Sequence, residues 1–216
     1  MIGRPVCLLI CGGIHPPRDS DGILAIIAED SQLSQLPVLN FSPASPLAVL
    51  SGAALRCWLE GHDRSAMAMP SGYPSLIIWA FSAGCVGAVA LTQYWQRYRG
   101  EVLALFLVDG WGVPGVGSVP IHRLSHDWFT HISSGWLGPG LVSFVGWPAV
   151  SHRQLWRHPQ QVWGYQVWPG MAAGLALDPA LQLRGLTAGD FLCGWSRYYL
   201  GQVQQPWAKV GLPDTP

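Results

Sequence analysis

Ser75-Leu76-Ile77-Ile78-Trp79-Ala80-Phe81-Ser82-Ala83-Gly84-Cys85-Val86-Gly87-Ala88-Val89-Ala90 is the stretch of this chain whose reading decides the rest. An apolar run over Ser75 to Ala80 predicts a buried strand, and the small-residue segment from Ala83 to Tyr98 predicts a helix. Between them lies a tight turn with Ser82 at its tip. Such a bend lifts a hydroxyl clear of a sheet, and the helix that follows points its positive N-terminal end at the place where negative charge would develop. Ala80 and Gly84, two residues either side of Ser82, are small enough for the crowding such a turn imposes. The alternative is a buried strand-to-helix junction whose serine only caps the helix.

The flanking sequence repeats the same grammar. Val6 to Ile10 is a continuous apolar run ending at Gly12-Gly13. Asp21 to Leu33 predicts a helix, Pro37 to Phe41 a short strand, and Pro46 to Glu60 a helix capped by Ser45 with Pro46 at its first position. Glu101 to Val108 is another unbroken apolar strand. Unbroken strands separated by amphipathic helices imply an α/β fold, a mostly parallel central sheet with helices on both faces. Ligands in such sheets bind beyond the carboxyl ends of the strands, and Gly12-Gly13, Ser82 and Asp109 all fall there.

After residue 110 the pattern loosens. Gly110 to Gly140 is rich in glycine, proline and histidine and predicts one helix near His122 to Ser133. Leu141 to Val145 predicts a fifth strand and Gln154 to Val162 a short helix. Thr187 to Gln202 predicts a final helix, and Pro206 onward a loose tail. No internal repeat or low-complexity tract is visible, so residues 1–216 are expected to form one domain.

The segment around Ser82 resembles the nucleophile elbow of the α/β-hydrolase superfamily, G-x-S-x-G, with Ala80 in place of the first glycine. As a pattern of elements the resemblance covers roughly residues 5 to 165, and only the elbow is specific at the residue level. It implies an α/β-hydrolase-like three-layer sandwich, here a minimal version short of the first two strands and the last. It also implies a Ser-acid-His triad in that chain order, which Ser82, Asp109 and His152 supply. Asp109 ends a strand, and its neighbour Gly110 makes it equally a turn former. His152 leads over His122, His126, His131 and His158 only by its place after the fifth strand. His126-Asp127 is an alternative pair, but neighbours on a helix point ~100° apart and would not face each other. The resemblance further implies an oxyanion hole from the backbone of Ala83 and of Gly13 or Ile14. Residues 110–140 would be a cap or cleft wall, with Trp111, Trp136 and Trp147 as substrate-binding residues.

Half of the residues are hydrophobic and only 11% are charged, so the chain can bury a large core. The 12 basic and 12 acidic residues cancel, leaving no basic stripe for nucleic acid. Twelve tryptophans exceed the usual share. They read either as bulky filler or as an aromatic cleft or a face for a membrane or protein partner. The five cysteines include no C-x-x-C pair, which argues against a cysteine-held metal. Cys85 is a competing nucleophile, though it lies inside the helix and not at the turn tip. The N-terminal apolar run is too brief for a signal peptide and flows into Gly12-Gly13 as a core strand would. A cytoplasmic protein is expected. The resulting expectation is a cofactor-free serine hydrolase acting on an ester or thioester with an apolar portion. The alternative is a non-catalytic scaffold that binds a lipid, a pigment or a protein through its tryptophans.

Overall fold

A computed structural model describes residues 5–43, 45–62, 73–115, 117–168 and 185–204. The strands are β1 (Val6–Cys11), β2 (Val38–Phe41), β3 (Ser75–Phe81), β4 (Val102–Val108), β5 (Ile121–Ser125), β6 (Val142–Gly146), β7 (Trp163–Val167) and β8 (Leu186–Thr187). They form one sheet in the order β2-β1-β3-β4-β5-β6-β7-β8. The first six strands run parallel, and β7 and β8 turn back antiparallel at one edge. The chain steps from β1 outward to β2 and then crosses to β3 on the other side of β1. The carboxyl ends of β1 and β3 therefore flank the point where the winding reverses, the usual location of a ligand crevice.

The helices are α1 (Asp21–Glu29), α2 (Gly52–His62), α3 (Gly84–Tyr98), α4 (Trp128–Gly135), α5 (His152–Arg157) and α6 (Ala188–Gln204). Alternation along the central strands sorts the core into two halves. Leu8, Ile10, Ile77, Trp79, Phe81, Ala104 and Phe106 meet α1, α5 and α6 on one face. Leu9, Leu76, Ile78, Ala80, Leu105 and Leu107 meet α2 and α3 on the other. Each fully buried Leu or Ile contributes about 1.5–3 kcal/mol over its exposed state, which is why strands apolar at every position occupy the centre.

The sequence reading differs from this architecture in several places. The expected helix over His122 to Ser133 is instead strand β5 followed by α4 from Trp128. The strand expected fifth is therefore the sixth, β6, and the segment 110–140, expected as a cap or cleft wall, supplies a strand inside the sheet. The predicted Pro46–Glu60 helix begins as a 3-10 turn over Pro46–Leu50 before α2, and Ser45 makes no side-chain cap. The first helix stops at Glu29 because Asp30 turns extended. Strands β7 and β8 had no counterpart in the sequence reading. The tail from Pro206 lies outside the described residues.

Candidate active site

Strand β3 is buried at every residue and delivers Ser82 directly after Phe81. Ser82 has φ 54°, the left-handed region that a residue with a Cβ seldom enters. Its N–H donates to the Val108 carbonyl at 2.9 Å, so the end of β4 holds the bend in place. Helix α3 then starts at once, with Cys85 N–H on Ser82 O and Val86 N–H on Ala83 O. The turn is as crowded as its small residues imply. A Cβ on Gly84 would lie 2.4 Å from the carbonyl oxygens of both Cys11 and Gly12.

One strand over, Asp109 directly follows β4 with φ 50°, its own N–H bonded to Leu124 O at 2.7 Å. Its carboxylate is fully buried and accepts from three donors. The His126 backbone N–H reaches Oδ1 at 2.9 Å, while His126 Nδ1 at 2.9 Å and His152 Nδ1 at 2.8 Å both reach Oδ2. His152 is the first residue of α5, after β6. Its Nε2 lies 3.1 Å from Ser82 Oγ. An ionised carboxylate only accepts, so the His152 proton sits on Nδ1 and Nε2 presents its lone pair to the serine hydroxyl. The imidazole stacks on Phe81 at 4.6 Å, and Phe81 stacks in turn on Trp156 of α5 at 5.1 Å. Helix α5 is anchored by Arg153, which pairs with buried Asp19, and by Trp156 Nε1, which donates to Ser20 Oγ at 3.1 Å.

The loop after β1 packs against the elbow, since a Cβ on Gly13 would meet Ser82 Cβ at 2.9 Å. The Gly13 N–H is already engaged, donating to His15 Nε2 at 2.9 Å. His15 Nδ1 lies 3.0 Å from Pro16 O, an acceptor, which places the ring proton on Nδ1 and leaves Nε2 to accept. The Ala83 and Ile14 N–H groups have no acceptor among the described residues. Of the Gly13 and Ile14 amides, that of Ile14 is thus the free one among the described residues.

The structure brings Ser82, His152 and Asp109 together, with Gly13 packed against Ser82, Ala83 next to it in the chain and Ile14 following Gly13 in the loop. It separates the three tryptophans from the small cavity beside Gly13. That cavity, about 140 Å3, is lined by Gly13, His15, Ser20, Phe41 and Val49 among others. Trp111, Trp136 and Trp147 are 68%, 82% and 53% exposed. Trp136 lines a second cavity of about 270 Å3 with Arg123, His131 and Trp168. Cys85 is fully buried, and burial pushes its thiol far up, the opposite of what a thiolate nucleophile needs.

Two histidines near the site went unassigned in the sequence. His15 follows a Gly-Gly turn and carries no other signal. In the sequence His126 reads as one of a pair with Asp127 on a helix. It lies instead in the turn after β5, where Asp127 N-caps α4 and its Oδ2 comes 3.4 Å from His126 Nε2. The side-chain bond to Asp109 raises the pKa of His126, against burial. Asp109, His126 and His152 fall within 4.8 Å of one another, the spacing of many metal sets. Here both Nδ1 atoms direct protons at Oδ2, so the cluster is complete as a hydrogen-bonded unit. Among the described residues no helix is long and apolar enough to cross a membrane. Compared with protein-family models and with curated proteins, the chain matches none.

Proposed function

We propose that this protein is a serine hydrolase of the α/β-hydrolase type that cleaves a carboxylic ester or thioester with an apolar acyl portion. One observation carries the reading: Ser82, held at positive φ, lies 3.1 Å from the Nε2 of a histidine whose Nδ1 is 2.8 Å from a fully buried carboxylate. That is the arrangement an activated serine requires. His152 takes the hydroxyl proton as Ser82 Oγ attacks the carbonyl carbon, and Asp109 steadies the imidazolium that forms. The Ala83 N–H, at the start of α3, and the Ile14 N–H hold the oxyanion. His152 then protonates the departing alcohol or thiol, and water, deprotonated by the same histidine, releases the acid and regenerates Ser82. No step calls for a cofactor. The small cavity beside Gly13, walled partly by Phe41, Pro46 and Val49, favours a short apolar acyl group. The free thiols of all five cysteines suit a reducing cytoplasmic setting, which we include in the proposal.

Labelling with a fluorophosphonate probe tests this directly. The wild-type chain is expected to be labelled at Ser82 and to turn over p-nitrophenyl butyrate. Ser82→Ala should abolish labelling and lower turnover by at least ~10³-fold. A wild-type chain that stays unlabelled, or a Ser82→Ala variant with unchanged turnover, overturns hydrolysis. The exposed Trp111, Trp136 and Trp147 would then be better read as a binding face on a non-catalytic scaffold.

A further inference from the structure

His126 is the least explained group at this site. It gives Asp109 two of its three hydrogen bonds, one from the main chain to Oδ1 and one from Nδ1 to Oδ2. Oδ2 is the same oxygen that orients His152. On its far side, His126 Nε2 faces Asp127 Oδ2 at 3.4 Å. The contact to Asp127 is an ion-pair distance and not a hydrogen bond, and two carboxylates on opposite sides of the ring favour a proton on each nitrogen. The titratable groups that face His126 among the described residues are Asp109 at the end of β4, Asp127 in its own turn, and His152 on α5. The His126 and His152 ring centroids are 6.0 Å apart.

We propose that His126 is a positioning residue held as an imidazolium between Asp109 and Asp127, where it fixes the carboxylate that orients His152 and opposes a second positive charge on His152. This rests on the hydrolytic reading of Ser82, His152 and Asp109. The geometry separates two effects. The hydrogen bonds fix the rotamer of Asp109 and so aim His152 Nδ1. The positive charge lies within reach of the His152 ring across a partly exposed contact, with the two side chains 20% and 39% exposed, and like charges repel there. Taking the charge off His126 therefore alters the field at His152, while the bonds that remain on Asp109 still aim the ring. The bond to Asp109 pushes the pKa of His126 upward against burial, the direction in which the two flanking carboxylates also act.

Two substitutions separate positioning from charge. His126→Ala removes the Nδ1 bond and the charge together, leaving only the main-chain bond to Oδ1, and kcat for p-nitrophenyl butyrate is expected to fall by about 10²-fold with little change in KM, the usual scale for a misaimed catalytic group. His126→Asn keeps a neutral donor near the Nδ1 position. It is expected to recover most of that kcat, with the acid limb of kcat/KM displaced about one unit to higher pH. Equal losses in the two variants, or an acid limb that does not move in His126→Asn, overturn the proposal. A third measurement does not depend on turnover. In NMR titrations of the full chain, the His126 ring, assigned by its loss in His126→Asn, should titrate above an ordinary histidine. Asp127→Asn should bring that midpoint down while leaving the helix cap intact, because asparagine caps as well as aspartate. A His126 that titrates normally and ignores Asp127→Asn overturns the proposal even if Ser82 proves inert. An inert Ser82 with an elevated His126 midpoint removes the hydrolytic reading and leaves the charged pairing standing.

Discussion

Ser82 and Asp109 hold the two positive-φ backbones among the described residues that are not glycine, at 54° and 50°. Each such position costs about 1–3 kcal/mol and persists only where its surroundings enforce it. Here the enforcement is a backbone bond from each residue into the next strand, Ser82 to Val108 and Asp109 to Leu124. Close approach at Gly84 completes the elbow. Gly84→Ala would drive a Cβ to 2.4 Å from two backbone carbonyls, neither of which can swing aside. It is expected to lower stability by about 1–3 kcal/mol in urea unfolding and to slow probe labelling of Ser82. Ala80→Gly writes the usual elbow glycine into a buried strand; it should cost about 0.5–1 kcal/mol and leave labelling intact. If Gly84→Ala proved neutral, the tight contact between elbow and Gly13 loop would not be what shapes the turn. Ser82, Asp109 and His152 were legible because strand-end residues of a parallel sheet converge on one edge whatever the details between them. His126 and His15 were not legible, because their roles depend on which way a side chain turns once the loops are packed.

Strand β5 shows why one element escaped the sequence reading. Its central residues, His122 and Arg123, are polar yet buried, so the segment lacks the apolar run that marks β1, β3 and β4. Both are satisfied only by groups distant in sequence. Arg123 donates to the carbonyls of Gly138 and Val113, each at 2.8 Å. His122 lies 3.0 Å from Val142 O through Nδ1 and 2.9 Å from the Tyr199 hydroxyl through Nε2. Strand β7 hides differently: Gly164 interrupts its pattern because a Cβ there would sit 2.1 Å from Val145 O. Burying His122 has a consequence for pH. Its pKa is pushed down from 6.5 to about 4, chiefly by burial. The unfolded chain takes up a proton below about pH 6.5, while the folded chain resists until about pH 4. The stability this histidine carries is therefore full above pH 6.5 and drains away as pH falls to about 4, by roughly 3 kcal/mol in all. Urea midpoints of the wild-type chain should drop across that window more steeply than those of His122→Phe. The variant, lacking the buried titrating ring, should start lower at pH 7, because Val142 O and the Tyr199 hydroxyl lose their partner. Parallel pH slopes in the two chains would contradict this account.

Across the described residues few charges serve structure; some cap their own turns, as Asp127 does, and others join distant segments. Asp19, beside the Gly13 loop, takes Arg153 from α5, and Asp30, at the end of α1, takes Arg197 from α6. The larger coupling is the sheet. Every residue of β3 and β4 is buried, and alternate side chains feed opposite cores. Neither helical layer has a surface to pack on unless the strands between them are formed. That argues for one cooperative unfolding event, although the cores share almost no side chains. The test is one cavity on each side. Leu91→Ala empties space under α3, and Phe191→Ala empties space under α6; the two side chains are 0% and 1% exposed. Each is expected to cost about 2–5 kcal/mol. In both variants tryptophan fluorescence and far-UV circular dichroism should report the same single urea transition, moved to lower denaturant. Because the sites lie on opposite faces and share no contacts, the double variant should lose close to the sum of the two costs. A variant in which one signal melts early while the other holds would mean that a helical layer can leave the sheet by itself. The elbow, at the head of α3, would then depend on one face alone.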